Sequence, residues 1–328
     1  ACMLCSGWIS NTATAAMMLT FLTPVFKSLP ANGKGRIALT MAIPIGANLG
    51  GMGTPIGTPP NAFAYKVLND PTGMNMDISF GDWMMFMVPL VLVLLVISWL
   101  LLKWFFPFKQ KTIELEINGD MQHNWRTVVV AITFAVTIIL WVFGKPIGIN
   151  ANMVAMLPIA VFAFTGVITA KDLQDIDWGV IWMVAGGFAL GLAMNGTGLA
   201  KTAMDAIPFG EWSPIVILVI SGLVTFFLSN FISNTATAAL MIPILAVVCE
   251  GMGDKLNIIG GTSTVLIGIA VAASAAMCLP ISTPPNAIAY STGLIEQKDM
   301  SKTGLSVGII TLILGFSLLI VLGKQGLF

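Results

Sequence analysis

Along the chain, charged residues fall in tight groups and leave long uncharged runs between them. Twenty uncharged residues separate Asp82 from Lys103, 18 separate Arg126 from Lys145, and 25 separate Lys145 from Lys171. A further 23 separate Asp177 from Lys201, and 21 separate Lys302 from Lys324. A helix that crosses a hydrocarbon core needs about 20 such residues, so each run predicts one membrane span. Three other runs do not fit one crossing: 37–65 with 29 residues, 212–249 with 38 and 256–295 with 40. As straight helix, the 38-residue run would extend roughly 57 Å, nearly twice a core of about 30 Å. These three runs must break or fold back inside the membrane.

Composition makes the class firm. Of 328 residues, 57% are hydrophobic and 9% are charged, against about a quarter charged in an ordinary soluble domain. The expectation is an all-α polytopic membrane protein, integral to the plasma membrane (the inner membrane if bacterial). Lys+Arg and Asp+Glu are both 15, so no charge excess is available for neutralising phosphates, and a nucleic-acid partner is excluded. The apolar content excludes a disordered chain. Residue 1 is Ala and the apolar stretch 1–26 has no basic n-region, so it does not read as a signal peptide. Cys2 and Cys5 form a C-x-x-C without a second pair, and Cys249 and Cys278 sit among apolar neighbours. All four read as small packing residues. One His, no metal-ligand cluster and no nucleophile–base pair argue against an enzyme.

The chain repeats itself. ISNTATAA occurs at 9–16 and again at 232–239, while PIGTPPNAFAY at 55–65 returns as PISTPPNAIAY at 280–290, identical at nine of eleven positions. From Ser10 to Thr58 is 48 residues, and from Ser233 to Thr283 is 50. Two structural repeats in a membrane protein are the signature of a secondary transporter with its site where the repeats meet. The division is 1–120 for a first, incomplete repeat and 121–328 for the second. The second SNT follows four apolar segments and the first follows only nine residues, so the expectation is that roughly 80 or more residues are missing ahead of residue 1.

Each motif predicts a helix break. Two adjacent prolines remove two backbone donors and clash with the preceding turn, and the residue before a proline is pushed out of the helical region. The helix must stop, and a new one starts with Thr58 as N-cap and Pro59 at the first helical position. Thr283 and Pro284 repeat the pattern. Ser233-Asn234-Thr235 divides the 38-residue run into two arms, as suits a re-entrant helical hairpin whose tip opens the returning helix, and Ser10-Asn11-Thr12 is the matching tip. Two hairpins and two broken helices would bring four helix N-termini together, each with roughly half a positive charge. That is an anion site without a basic side chain. No charged residue lies near the motif centres except Lys66, so hydroxyls, amides and dipoles must hold the ligand. Residual negative charge calls for a cation, and Na⁺ suits oxygen ligands and unwound carbonyls. The lack of intramembrane carboxylates argues against a proton relay.

Paired SNT motifs, each followed about fifty residues later by TPPN, resemble the divalent anion/sodium symporter family, and the resemblance covers essentially the whole chain. It implies a homodimer of inverted-repeat, elevator-type transporters that carry C4 dicarboxylates such as succinate, malate or fumarate with Na⁺, embedded in lipid. It further implies that Ser10, Asn11 and Thr12 bind one carboxylate and Ser233, Asn234 and Thr235 the other, with Thr58, Pro59, Thr283 and Pro284 completing the pocket. One Na⁺ site would draw on Ser6, Ser10, Asn11 and Gly57, the second on Ser229, Asn234 and Ser282. Since Gly57 is replaced by Ser282 in the second repeat, the two sites need not be equivalent. The family also contains exchangers without sodium coupling, and citrate or sulfate symport remains an alternative, as does, more remotely, a channel built on re-entrant elements.

The family's architecture places loops 27–36, 103–126, 171–177 and 296–302 in the cytoplasm. These hold ten of the fifteen Lys and Arg residues, in agreement with the positive-inside rule. His123 reads as a solvated loop residue. Gly46, Gly50, Gly51, Gly53 and Gly57 read as close-packing positions, Leu190–Pro208 as an interfacial amphipathic segment, and Trp83, Trp99 and Trp104 as interfacial aromatics bracketing one span.

Overall fold

The computed structural model describes residues 1–30, 33–71, 73–107, 124–144, 147–149, 151–174 and 212–327, with scattered positions between 178 and 202. Its described elements are helices: α1 (Cys2–Ser6), α2 (Asn11–Ser28), α3 (Lys34–Gly51), α4 (Pro59–Leu68), α5 (Phe80–Phe105), α6 (Trp125–Phe143), α7 (Ala151–Thr165) and α8 (Ala170–Gln174). After the intervening segment come α9 (Pro214–Phe231), α10 (Asn234–Met252), a 3-10 turn (Gly253–Ile259), α11 (Gly261–Ala275), α12 (Pro284–Ser291) and α13 (Gln297–Lys324).

The charge-free runs translate into helices as expected for the spans at 83–102, 127–144 and 303–323, which become α5, α6 and α13. Run 146–170 yields α7, a helix of only 15 residues. The expected span 178–200, the amphipathic segment 190–208 and His123 lie wholly or mostly outside the described residues. Five helical segments are long and apolar enough to cross a membrane, namely Phe80–Phe105, Trp125–Phe143, Pro214–Phe231, Asn234–Ile259 and Gln297–Lys324. On α5, Leu92, Val93, Val96, Trp99 and Leu100 point outward and are about half exposed, as a lipid-facing stripe would be. The chain is an integral, multi-pass membrane protein.

At the centre stands α11. Every residue from Ser263 to Ala275 is buried, so the helix is apolar or small on all faces, as a core helix must be. It packs on α13, α9, α10 and α4. Glycines permit the close approach, since a Cβ on Gly304 of α13 would lie 2.2 Å from the Met277 carbonyl oxygen. The α3 helix packs on α1, α2 and α5, while α2 packs on α12 and α10 packs on α4. The halves therefore cross, with each SNT helix lying against the other repeat's TPPN helix.

One aromatic expectation is corrected. Trp99 and Trp104 are exposed, but Trp83 is fully buried and its Nε1 donates to the Met52 carbonyl at 3.3 Å. An indole whose N–H meets a freed carbonyl inside the protein is a core element, not an interfacial anchor.

Candidate functional site

All four motif helices begin where the residues predict. Ser10 caps α2, its Oγ accepting from Ala13 N at 3.2 Å, and Ser233 caps α10 by accepting from Ala236 N at 3.2 Å. Thr58 precedes Pro59 at the start of α4, and Thr283 precedes Pro284 at the start of α12, where the Thr283 Oγ1 accepts from Asn286 N at 3.3 Å. The backbone of both threonines is extended, with φ near −144° and −141°, as the following proline demands.

The unwound segments need their freed carbonyls satisfied, because water is scarce at membrane depth. The asparagine of each TPPN does this. Asn61 Nδ2 donates to Gly51 O (3.2 Å), Met52 O (3.1 Å) and Thr54 O (2.8 Å). Asn286 Nδ2 donates to Met277 O (2.9 Å) and Leu279 O (3.0 Å). Both side chains are buried. The motif by itself does not reveal this task for the asparagines. Their duplication three residues after the cap was the available signal.

Two oxygen clusters lie beside the tips. In the first, Ser6 Oγ donates to Ala47 O at 2.6 Å and contacts the Asn11 amide. One terminal atom of that amide also stands 3.2 Å from both Gly57 O and Ala47 O. With the nitrogen turned inward it donates to those carbonyls. With the oxygen turned inward, four oxygens converge, a set that suits a hard cation. In the second, Ser229 Oγ lies 2.7 Å from Asn234 Oδ1 and 3.0 Å from Ala273 O, with one hydrogen to donate between the two acceptors. Ser6 and Ser229 are both fully buried, so the two clusters are repeats of one design. The close packing at Gly57 has a steric cause, because a Cβ there would lie 2.4 Å from the Gly51 carbonyl oxygen.

The change from Gly57 to Ser282 is compensated within the repeat. Ser282 Oγ donates to Asn230 O (3.0 Å) and accepts from Leu279 N (3.1 Å). In the first repeat the hydroxyl sits three residues earlier: Thr54 Oγ1 donates to Gly7 O and accepts from Gly57 N (3.0 Å). Gly7 and Asn230 stand at matching places after the two cluster serines. Asn230 adds a bond of its own, its Oδ1 accepting from Cys278 N at 2.8 Å. Thr54 and Asn230 escaped sequence reasoning, since neither belongs to a duplicated motif.

The structure thus gathers Ser6, Asn11 and Gly57 in one cluster and Ser229 with Asn234 in the other, while Ser282 bonds the chain next to Ser229. Thr58 and Thr283 are buried, Pro59 is half-buried, and Ser10, Thr12, Ser233 and Pro284 are exposed around the helix starts, with Thr235 half-buried. No ionisable side chain takes part in these bonds. The arrangement can bind an anion through N–H groups and amides, and a hard cation through carbonyls and hydroxyls.

Comparison with known proteins agrees with this chemistry. The citrate transporter family model (CitMHS) matches residues 1–260. An uncharacterised transporter of Haemophilus influenzae is 30% identical over 329 residues, covering 94% of this chain and 68% of that protein. The sodium-dependent dicarboxylate transporter SdcS of Staphylococcus saprophyticus is 29% identical, covering 94% of this chain and 65% of that one. The low-affinity phosphate transporter PHO90 of Saccharomyces cerevisiae is 29% identical over 97% of this chain and 36% of its own length. The chain spans about two thirds of the length of the first two of these relatives. With its paired SNT and TPPN breaks and a family match over residues 1–260, the chain belongs to the citrate transporter family, within the divalent anion/sodium symporters, and is a membrane transporter rather than an enzyme.

Proposed function

We propose that the protein is a secondary active symporter that carries C4 dicarboxylates together with Na⁺. The observation that supports this most is the duplicated cluster of serine, asparagine and carbonyl oxygens beside two capped helix starts. A dicarboxylate has two separated negative groups, and the two SNT helix starts are two separated anion receptors. In this reading Ser10, Asn11 and Thr12 take one carboxylate, Ser233, Asn234 and Thr235 take the other, and Thr58–Pro59 and Thr283–Pro284 close the pocket. Two negative charges exceed what partial helix dipoles neutralise, and Na⁺ in the clusters supplies the rest: Ser6, Ser10, Asn11 and Gly57 for one ion, Ser229, Asn234 and Ser282 for the other.

Coupling follows from shared atoms. Asn11 and Asn234 each sit in a cation cluster and open an anion-binding helix. A cation turns the Asn11 oxygen inward and leaves its amide N–H₂ directed elsewhere, toward an arriving carboxylate. The substrate therefore meets a completed receptor only after the ion is bound. An elevator movement of the two breaks and tips against the remaining spans, within a homodimer, carries the filled site across the membrane.

The names of the relatives favour this reading, since SdcS is sodium-dependent and takes dicarboxylates. A second reading, transport of inorganic phosphate, draws on the name of PHO90. The test uses the purified protein in liposomes with radiolabelled succinate. Uptake driven by an inward Na⁺ gradient and absent when K⁺ replaces Na⁺ is the expected result. Uptake that ignores Na⁺ and requires internal dicarboxylate would establish exchange instead. Accumulation of phosphate, citrate or sulfate but not succinate would move the substrate class.

A further inference from the structure

The two helices that lead into the breaks do not meet the opposite repeat equally. Ser6 bonds the carbonyl of Ala47 on α3, and Ser229 bonds that of Ala273 on α11. The next residues, Asn48 and Ser274, therefore hold matching places, and both are buried with 2% exposure. From the first place, Asn48 Nδ2 reaches 235 residues ahead and donates to Thr283 Oγ1 at 3.2 Å. It also donates to Asn286 Oδ1 at 3.2 Å. These are the N-cap and the third residue of α12, the second TPPN helix. Asn286 is thereby held at both ends of its amide, because its Nδ2 is occupied by Met277 O and Leu279 O. The other crossing, where α11 packs on α4, has no such amide. Ser274 Oγ and Asn61 Oδ1 are buried without a hydrogen-bond partner among the described residues, and Thr58 makes no side-chain cap bond. One crossing is latched and its mirror is open.

The latch joins the two halves of the site. The Ala47 carbonyl belongs to the first oxygen cluster, and the adjacent side chain grips the cap of the second break. We propose that Asn48 is a positioning residue that couples occupancy of the first cation cluster to the geometry of the second half of the substrate pocket. A cation that draws the Ala47 carbonyl inward moves the peptide joining residues 47 and 48. The Asn48 amide passes that displacement to Thr283. Coupling of this kind is a difference in contacts between two states, and it acts equally in both directions. This inference rests on the symport reading above and adds to it a residue outside all four motifs.

The experiment measures succinate uptake into liposomes across a Na⁺ series for the wild type, Asn48→Ser, Thr283→Val and the double variant. Asn48→Ser installs the residue of the open crossing, and its melting profile in detergent reports whether it folds. At saturating Na⁺, the expected result for Asn48→Ser is a succinate KM raised about tenfold, within the usual range of coupling between sites. Its Na⁺ activation curve should be less steep, with maximal rate preserved. Thr283→Val is expected to raise KM as well, and the double variant to be no worse than the more impaired single variant. Unchanged KM and unchanged Na⁺ steepness in Asn48→Ser would overturn the proposal. So would a reduced maximal rate at normal KM, which is the mark of a merely structural residue, or fully additive effects in the double variant. If Asn48→Ser does not fold, Asn48→Ala takes its place, since it removes the amide donor without touching a pocket residue, and the same changes are expected. Absence of Na⁺-driven uptake in the wild type would defeat the symport reading, and the coupling with it. A working wild type beside an indifferent Asn48→Ser defeats the coupling alone.

Discussion

The first and second repeats solve one problem with different residues. Both unwind a helix ahead of TPPN, both anchor a buried serine to a helical carbonyl, and both staple the break with an asparagine. Where they differ, a bond survives while its owner changes. The hydroxyl that reaches back to the chain after the cluster serine belongs to Thr54 in one repeat and Ser282 in the other. The comparison teaches that pairing residues by alignment alone mistakes compensation for loss: Gly57 opposite Ser282 looks like a missing ligand until Thr54 is seen. The repeats also differ without compensation, and the difference that joins the two halves is the crossing closed by Asn48 and left open by Ser274.

The largest expected effects lie where the repeats agree. Asn11→Ala and Asn234→Ala should each reduce uptake to background while the protein still purifies as a folded species. Near-normal transport by either would remove that half from the site. Next come the staples. Asn61→Leu and Asn286→Leu each strand buried carbonyls, at about 1–3 kcal/mol for each group left unsatisfied. Both should melt at lower temperature than the wild type. Asn61→Leu strands three carbonyls but also removes a buried Oδ1 that has no partner, whereas Asn286→Leu strands two carbonyls and takes away one of the two acceptors of the Asn48 amide. Asn286→Leu should therefore be the worse, and the reverse order would deny that the crossing closed by Asn48 is the more firmly bonded one.

A smaller effect tests the hydroxyl exchange. Gly57→Ser places a Cβ 2.4 Å from the Gly51 carbonyl, so it should weaken Na⁺ activation of uptake, whereas Ser282→Gly should be milder. Equal Na⁺ responses in the two variants would mean that the clusters tolerate either residue. The smallest change is expected from Thr54→Val and Ser282→Ala, each removing one buried hydroxyl that donates one bond and accepts another, at about 1 kcal/mol per bond. Similar losses of thermal stability would establish the two hydroxyls as counterparts, and a large loss for only one would deny it.

Much of the site was legible before any fold was known. Prolines at 59–60 and 284–285 break helices for local reasons, and the serines at 10 and 233 cap for local reasons, so the four helix starts appear in the pattern of residue types. Ser6 and Ser229 came into view only through family resemblance. Thr54, Asn48 and Asn230 stayed hidden because their partners lie 47, 235 and 48 residues away. A polar residue inside an apolar helix has no local mark that tells a filler from a latch. Trp83 was misread for the same reason: an aromatic near the end of a span suits a membrane interface or a protein core equally, and only packing decides.

By itself the sequence determined that the chain lives in a membrane, that it is built twice, and where its helices must stop. Those properties depend on charge, on proline and on repetition, which act within a few residues. Only the tertiary structure decided which group closes each break, because a buried carbonyl accepts any donor that packing brings near. The choice between the Asn48 amide and the short Ser274 hydroxyl was therefore made by the crossing of helices far apart in the chain.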